Sequence, residues 1–428
     1  MPRTTDRTRT LATPARAHGV VSRRGLLAAA ATLPLFSHAP SARAHRDDAA
    51  PWIPDAGLLS DIPRWMDALG VPGLSVAAVD AGAVGWTRSW GVLQAGQPQA
   101  VDARTLFEAA SLSKPVFAYL VLQLVDDGTL SLDRTLASYL RPDYVSGDAR
   151  TARITVRDVL RHSSGLPNWR AHPATEPLAA QVEPGTRVDY SGEAFFWLQL
   201  VAEHVTGMAL DVLARRRLFA PAGMADSTYA WDESSAARSV RGHAAPDAQA
   251  PAKEFFRETF QAALPLARAR GKPLSQWRWQ DAVQALPEVA RRAPAGTVTW
   301  AGDVMANAAA SLRTTATDYA RFVALCLPQA RRTDWMLRED TRAAMLAPQG
   351  PAPGRWSRKT LGWNLESTRI GPVFFHGGSN GDAFKAFALG DAARRRGLVV
   401  FTNSGSGTAL YRRIVRAATG LDLLAFDT

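Results

Sequence analysis

Phe107-Glu108-Ala109-Ala110-Ser111-Leu112-Ser113-Lys114 is the stretch on which the reading of this 428-residue chain turns. Ser111 and Lys114 are three positions apart, a spacing that places both on one face of a helix. Such a face can hold a hydroxyl nucleophile beside an amine base. The lysine is itself unusual. Among 50 basic residues the only lysines are Lys114, Lys253, Lys272, Lys359 and Lys385. Arginine keeps its proton in proteins, whereas a desolvated lysine can release it. Pro115 is tolerated only near a helix start, so Ser111 is expected at a helix N-terminus. There the exposed N–H groups and the helix dipole favour a developing oxyanion. The pattern alone is weak: the lysines and serines of this chain give roughly 0.3 chance matches to S-x-x-K. A capping serine beside a solvated lysine fits the same four residues equally well.

Outward from this stretch, Val116, Tyr119, Leu120, Leu124 and Val125 continue one apolar side of the helix, and Asp127-Gly128 ends it. Upstream, 55–69 has a helical apolar pattern stopped at Gly70. Residues 74–79 and 84–92 read as two strands joined around Asp80-Ala81-Gly82. The middle, about 130–230, is expected to be mostly helical. It holds a short helix at 154–161, a loop at 162–167, and helices at 193–205 and 211–219. Residues 232–300 read as a helical insertion, either a cover over the site or a surface excursion. Residues 373–377, 384–390 and 398–403 read as strands, and 410–418 as a closing helix. The expected fold is therefore α+β, of the α/β sandwich type. One antiparallel sheet is built from both chain termini and flanked by helices, with a mainly helical second lobe.

Composition bounds the function. With 46% hydrophobic and 21% charged residues, the chain is ordinary globular protein. Its formal charge of +11 shrinks once the first 44 residues, with seven Arg and one Asp, are set aside: 43 basic and 38 acidic residues remain. No basic–aromatic repeat accompanies that small surplus, so a nucleic-acid partner is not expected. The leader itself reads as an export signal. Ser22-Arg23-Arg24-Gly25-Leu26-Leu27 resembles a twin-arginine motif, an apolar run follows at 26–36, and Ala42-Arg43-Ala44 looks like a cleavage site. The apolar run is too short for a membrane span. The expectation is a signal peptide at 1–44, one folded domain at 45–428 with no transmembrane span, and a periplasmic or secreted product. Cys326 is the only cysteine and lies in an apolar stretch, so it is read as a buried structural thiol.

Further motifs turn the weak pattern into a family resemblance. The 107–114 stretch resembles the first motif of the serine β-lactamase, penicillin-binding protein and esterase superfamily, in the style of its class C branch. Val71-Pro72-Gly73-Leu74-Ser75-Val76 looks like the family's first core strand. Ile154-Thr155-Val156-Arg157-Asp158-Val159-Leu160-Arg161-His162-Ser163-Ser164-Gly165-Leu166 resembles its helix–loop signature. Pro184-Gly185-Thr186 through Tyr190-Ser191 matches the approach to its second motif. Leu218-Phe219-Ala220-Pro221-Ala222-Gly223-Met224 and Ser311-Leu312-Arg313-Thr314-Thr315 match later landmarks. The resemblance covers about residues 55–418 apart from the insertion, and the landmarks keep the family order.

The resemblance implies roles. Ser111 would form an acyl-enzyme. Lys114 would accept its proton or hold Tyr190 ionised, and Tyr190 would pass protons to the leaving group; the choice of base stays open. His376-Gly377-Gly378 resembles the third motif, with histidine where many lactamases have lysine. Gly378 would let substrate approach the strand, and the N–H of Ser379 would join that of Ser111 as an oxyanion hole. The second motif departs from the family. It ends in Gly192, not asparagine, and Glu193 follows; Glu193 is read as favouring the first turn of the next helix. Losing that asparagine weakens the case for β-lactam or peptide recognition more than the case for acyl transfer.

One segment is a decoy. Gly377-Gly378-Ser379-Asn380-Gly381 fits G-x-S-x-G, but no histidine follows it and the next segment reads as a strand. His162 and His172 are read as structural. No metal-ligand spacing, phosphate cradle or dinucleotide fingerprint stands out, so neither metal nor cofactor is expected. The expected activity is that of an exported serine hydrolase acting on small esters or amides. A class C-type β-lactamase, a DD-peptidase or a D-aminopeptidase is the alternative, with substrates extending to β-lactams. A non-catalytic binder of cell-wall fragments is the third reading. Oligomeric state is not legible.

Overall fold

The computed structural model describes residues 50–245, 252–350 and 357–426. The expected signal peptide lies outside them. The main elements of the described residues, in chain order, are helix α1 (Ala56–Leu69), strands β1 (Gly73–Asp80) and β2 (Ala83–Gly91), and helices α2 (Ser113–Asp126), α3 (Gly192–Thr206), α4 (Phe255–Ala269), α5 (Trp279–Arg292) and α6 (Ala316–Cys326). Strands β3 (Ser357–Lys359), β4 (Asn364–Thr368), β5 (Gly371–Asn380), β6 (Phe384–Asp391) and β7 (Arg396–Thr402) follow, then helix α7 (Gly407–Thr419).

Both chain ends build one seven-stranded antiparallel sheet in the order β2-β1-β7-β6-β5-β4-β3. The join is between β1 and β7, in register from Leu74 opposite Thr402 to Val79 opposite Gly397. Successive side chains in a strand face opposite ways. Leu74, Val76, Leu398 and Val400 pack with Leu58, Ile62, Leu410 and Ile414 of α1 and α7. Ala77, Val79, Val399 and Phe401 face the other way, into the core shared with α2, α3 and α6. Helices on both faces explain the unbroken apolar runs of these strands, since neither side meets water.

Helix α2 departs from its sequence reading. One apolar side was predicted, but Ser113 to Gln123 and Leu124 are all buried. The helix runs through the larger core, and a helix buried all round has no amphipathic signature to read. Pro115 costs it nothing, because the first-turn N–H it lacks has no partner within a helix. The second lobe is also less regular than expected. Its elements are helices, yet 161–191 holds no helix or strand. Pro167, Pro173, Pro177 and Pro184 punctuate that stretch. Strands β3 and β4 escaped the sequence reading. Segment 232–300 carries α4 and α5, packed with Phe196, Trp231 and Trp300 in a separate aromatic-rich core. Cys326 is buried, and burial pushes its thiol up to about 12. Among the described residues no helix is long and apolar enough to cross a membrane.

Candidate active site

Ser111 sits in a 3-10 turn, Ala110–Leu112, at the entrance to α2. Several side chains fix this turn. The Ser113 hydroxyl donates to the Ala110 carbonyl (2.5 Å) and accepts from the Leu312 N–H (3.0 Å). Tyr319 and Tyr229 donate to the carbonyls of Leu112 (2.9 Å) and Ser113 (2.8 Å). Held this way, Ala110 adopts φ 49°, a left-handed conformation that costs an alanine energy. Strand β5 presses on the same turn: a Cβ on Gly378 would meet the Ala109 carbonyl oxygen at 2.5 Å. Only glycine fits there.

Lys114 is 1% exposed. Its Nζ donates to the Ser111 Oγ (3.3 Å) and to the Ala309 carbonyl (2.9 Å). The same atom lies 4.6 Å from the centre of the Tyr190 ring. Burial pulls its pKa well below the usual lysine value, and the neighbouring charge of Lys359 pulls it further. The amine is thereby favoured in its neutral form. Tyr190 moves the other way. Burial raises its pKa, with the Ser111 hydroxyl opposing. Its own hydroxyl is buried and makes no well-formed hydrogen bond within the protein.

Two histidines frame Tyr190. His376 on β5 lies 6.3 Å from the tyrosine ring centre to centre, and His162 stacks on it at 4.3 Å. The Nδ1 of His376 faces the Gly377 carbonyl at 2.7 Å; a carbonyl accepts, so this nitrogen carries the proton. The Nδ1 of His162 accepts the Ser191 N–H at 3.2 Å. Desolvation lowers both imidazoles, His376 to about 3, with the charge of Lys359 next in effect. Both rings are therefore neutral at physiological pH.

The structure thus brings Ser111, Lys114, Tyr190 and His376 together, with Gly378 against the serine turn. Ser379 lies on the exposed end of β5, where its Oγ accepts from Lys385 Nζ (2.7 Å). His162, read as structural, stacks on Tyr190 and has φ 58°. His172, by contrast, is exposed. Sequence reasoning singled out Lys359 as a rare lysine but did not place it at the site. It ends β3, with Nζ 5.5 Å from the Tyr190 ring and donating to Asn364 Oδ1. Burial lowers its pKa to about 8. Its rarity among so many arginines was the available signal.

Beside the site opens a cavity of about 730 Å³. Ser379, Asn380, Trp169 and Glu193 line it together with Phe255, Phe256 and Trp300 of the inserted segment. The insertion is thus a wall of the cavity. Glu193 does more than begin a helix: it is buried and pairs with Arg170 (2.9 Å).

A sheet shared by both chain ends, with a serine–lysine pair packed against it, is the architecture of the serine hydrolase superfamily that the motifs resemble. The chain belongs to the beta-lactamase family, whose profile matches residues 60–421. Penicillin-binding protein 4 of Amycolatopsis lactamdurans is 31% identical over 40% of this chain and 49% of its own length. Lovastatin esterase of Penicillium rubens is 32% identical over 31% of this chain and 41% of its own length. The chain thus spans between about a third and a half of the length of the first curated relatives it matches. A class C beta-lactamase structure superposes with TM-score 0.63 and 17% identity, covering 83% of this chain and 94% of that one, a likeness of fold.

Proposed function

We propose that the protein is an exported serine hydrolase that cleaves small esters or amides through an acyl-enzyme on Ser111. The observation that carries this reading is a buried lysine amine, favoured in its neutral form, within hydrogen-bond reach of a serine hydroxyl. Lys114 takes the Ser111 proton as Oγ attacks the substrate carbonyl. The carbonyl π electrons move onto oxygen, and backbone N–H groups at Ser111 and Ser379 receive the oxyanion. Tyr190 keeps its proton in the free enzyme, which suits it to donate to the leaving group. The C–O or C–N bond breaks, and Lys114 returns a proton to Tyr190. Water then attacks the acyl-enzyme, losing its proton to the same pair and freeing Ser111. His162 and His376 hold the tyrosine ring in place.

An esterase is favoured because Gly192 leaves no side chain to read a substrate amide. Intact-mass analysis after a fluorophosphonate probe, and after an ester substrate, tests the assignment. Wild type gains one adduct and Ser111→Ala none; equal labelling of both proteins sinks it. The relative named a penicillin-binding protein supports a second reading, a β-lactamase or peptidase. Efficient clearance of nitrocefin would reverse the ranking.

A further inference from the structure

Gly192 has a physical reason to be glycine. A Cβ at that position would meet the Trp169 indole at 2.2, 2.5 and 2.6 Å, far inside contact distance. The ring occupies the space where the family's second motif carries its asparagine. Trp169 is nonetheless 45% exposed, the highest value for a large hydrophobic residue among the described residues.

Its backbone, however, is fixed on both sides. The Asn168 carbonyl accepts the N–H groups of Gly192 (3.1 Å) and Glu193 (3.0 Å), and its Oδ1 also accepts from Gly192 (2.9 Å). Arg170 is buried against Glu193, donates to the Glu176 carbonyl (2.6 Å), and lies 4.8 Å over the Trp300 ring. Removing one partner of such a buried pair is strongly destabilising, so the loop is well held. A large apolar ring left 45% exposed on a well-held loop forgoes part of the burial it could have, and it is pre-organised for a flat ligand.

The cavity beside it has the same character. Phe255, Phe256, Trp300 and Phe384 line it together with Trp169, and its volume suits a drug-sized moiety. Its buried acids are already engaged: Glu108 with Arg313, Glu193 with Arg170, and Glu254 with Arg241 and Arg257. Of the other charged lining residues, Asp303 accepts from the Thr299 and Trp300 N–H groups and the Thr299 hydroxyl, and the exposed Asp382 and Lys253 are of opposite sign. A neutral planar group therefore fits the chemistry better than a cation.

We infer that this cavity receives an aromatic acyl group of the substrate, stacked on the exposed face of Trp169. The inference rests on the Ser111 hydrolase reading and adds a substrate class to it. The test compares p-nitrophenyl 2-naphthylacetate with p-nitrophenyl acetate on the purified full chain. Wild type is expected to favour the naphthylacetyl ester in kcat/KM. Trp169→Ala lowers that preference about tenfold or more, chiefly through KM, and Trp169→Phe restores most of it. A preference for acetate in wild type overturns the inference. So does an unchanged ratio in Trp169→Ala, or a proportional loss on both esters. Turnover of neither ester overturns it too, and fluorophosphonate labelling of Ser111 then decides whether the hydrolase reading falls with it.

Discussion

Among the described residues are two serine–lysine pairs, and the tighter one is the poorer candidate for catalysis. Lys385 Nζ lies 2.7 Å from Ser379 Oγ, whereas Lys114 Nζ lies 3.3 Å from Ser111 Oγ. What separates them is solvent. Lys114 is buried beneath the Tyr190 ring, with the cationic Lys359 nearby, and both burial and that charge favour the neutral amine. Lys385 is only partly buried; burial lowers its pKa, but Asp382 raises it, and Nζ also donates to the Gly381 carbonyl at 2.6 Å. A protonated amine can hold a hydroxyl in place but cannot take its proton. Desolvation, more than proximity, makes a lysine into a base.

The largest expected effect breaks the comparison outright if it fails. Ser111→Ala should lower turnover roughly 10⁴-fold or more, the usual cost of losing a nucleophile. Ser379→Ala keeps the backbone N–H and should cost far less. Steady-state kinetics on one ester, with both variants side by side, checks this. A larger loss at Ser379 would exchange the two pairs.

Lys114→Met comes next, with two readouts of opposite sign. Activity should fall about 10²- to 10⁴-fold, the span of general-base catalysis. Stability should rise. The folded-state pKa of Lys114 is depressed, so at neutral pH the unfolded chain binds a proton that the folded chain does not. Stability from this group is therefore present above the unfolded value near 10.4 and is lost as pH falls below it. Methionine removes that pH-dependent penalty. A higher urea midpoint at pH 7, with a shallower rise in stability towards alkaline pH, is the expected result. A solvated lysine would give neither change.

How much of this was legible depended on chain distance. Ser111 and Lys114 are three residues apart, so helical geometry alone linked them. Tyr190 and His376 came through motif order, because no local rule brings positions 79 and 265 residues away to one face. The sheet was readable where strands alternate or run apolar. Strand β3 was not, being three residues long and without an apolar run. Lys359 and Lys385 were visible as rare lysines, yet nothing in their surroundings tied them to the site. Trp169 was harder still. That its indole fills the side-chain space of Gly192 is a property of the folded loop, and the missing asparagine was only half of that signal.

Lys359→Met sharpens the contrast by removing the neighbour that Lys385 lacks. Below about pH 8, where Lys359 is itself charged, it disfavours the protonated form of Lys114. Lys359, Tyr190 and the neutral His162 and His376 are the titratable groups around that amine. Without Lys359 the Lys114 pKa rises, and the acidic limb of kcat/KM should move to higher pH. Each unit of movement costs about tenfold in rate on that limb. Rates well above the limb should change little. An unmoved limb would leave desolvation as the sole cause.

Lys385→Met is the smallest expected effect and the strictest control on the whole comparison. Its hydrogen bond to Ser379 is short, and a distance criterion alone would predict a severe loss. The charge is partly solvated, however, and opposed by Asp382, so its coupling to the reaction is screened. Exposed charge interactions are worth about 1 kcal/mol or less, so kcat/KM should stay within about fivefold of wild type. The pH profile should keep its shape, because the group that titrates is elsewhere. A loss as large as that of Lys114→Met, or a displaced acidic limb, would mean that the exposed pair takes part in proton transfer after all.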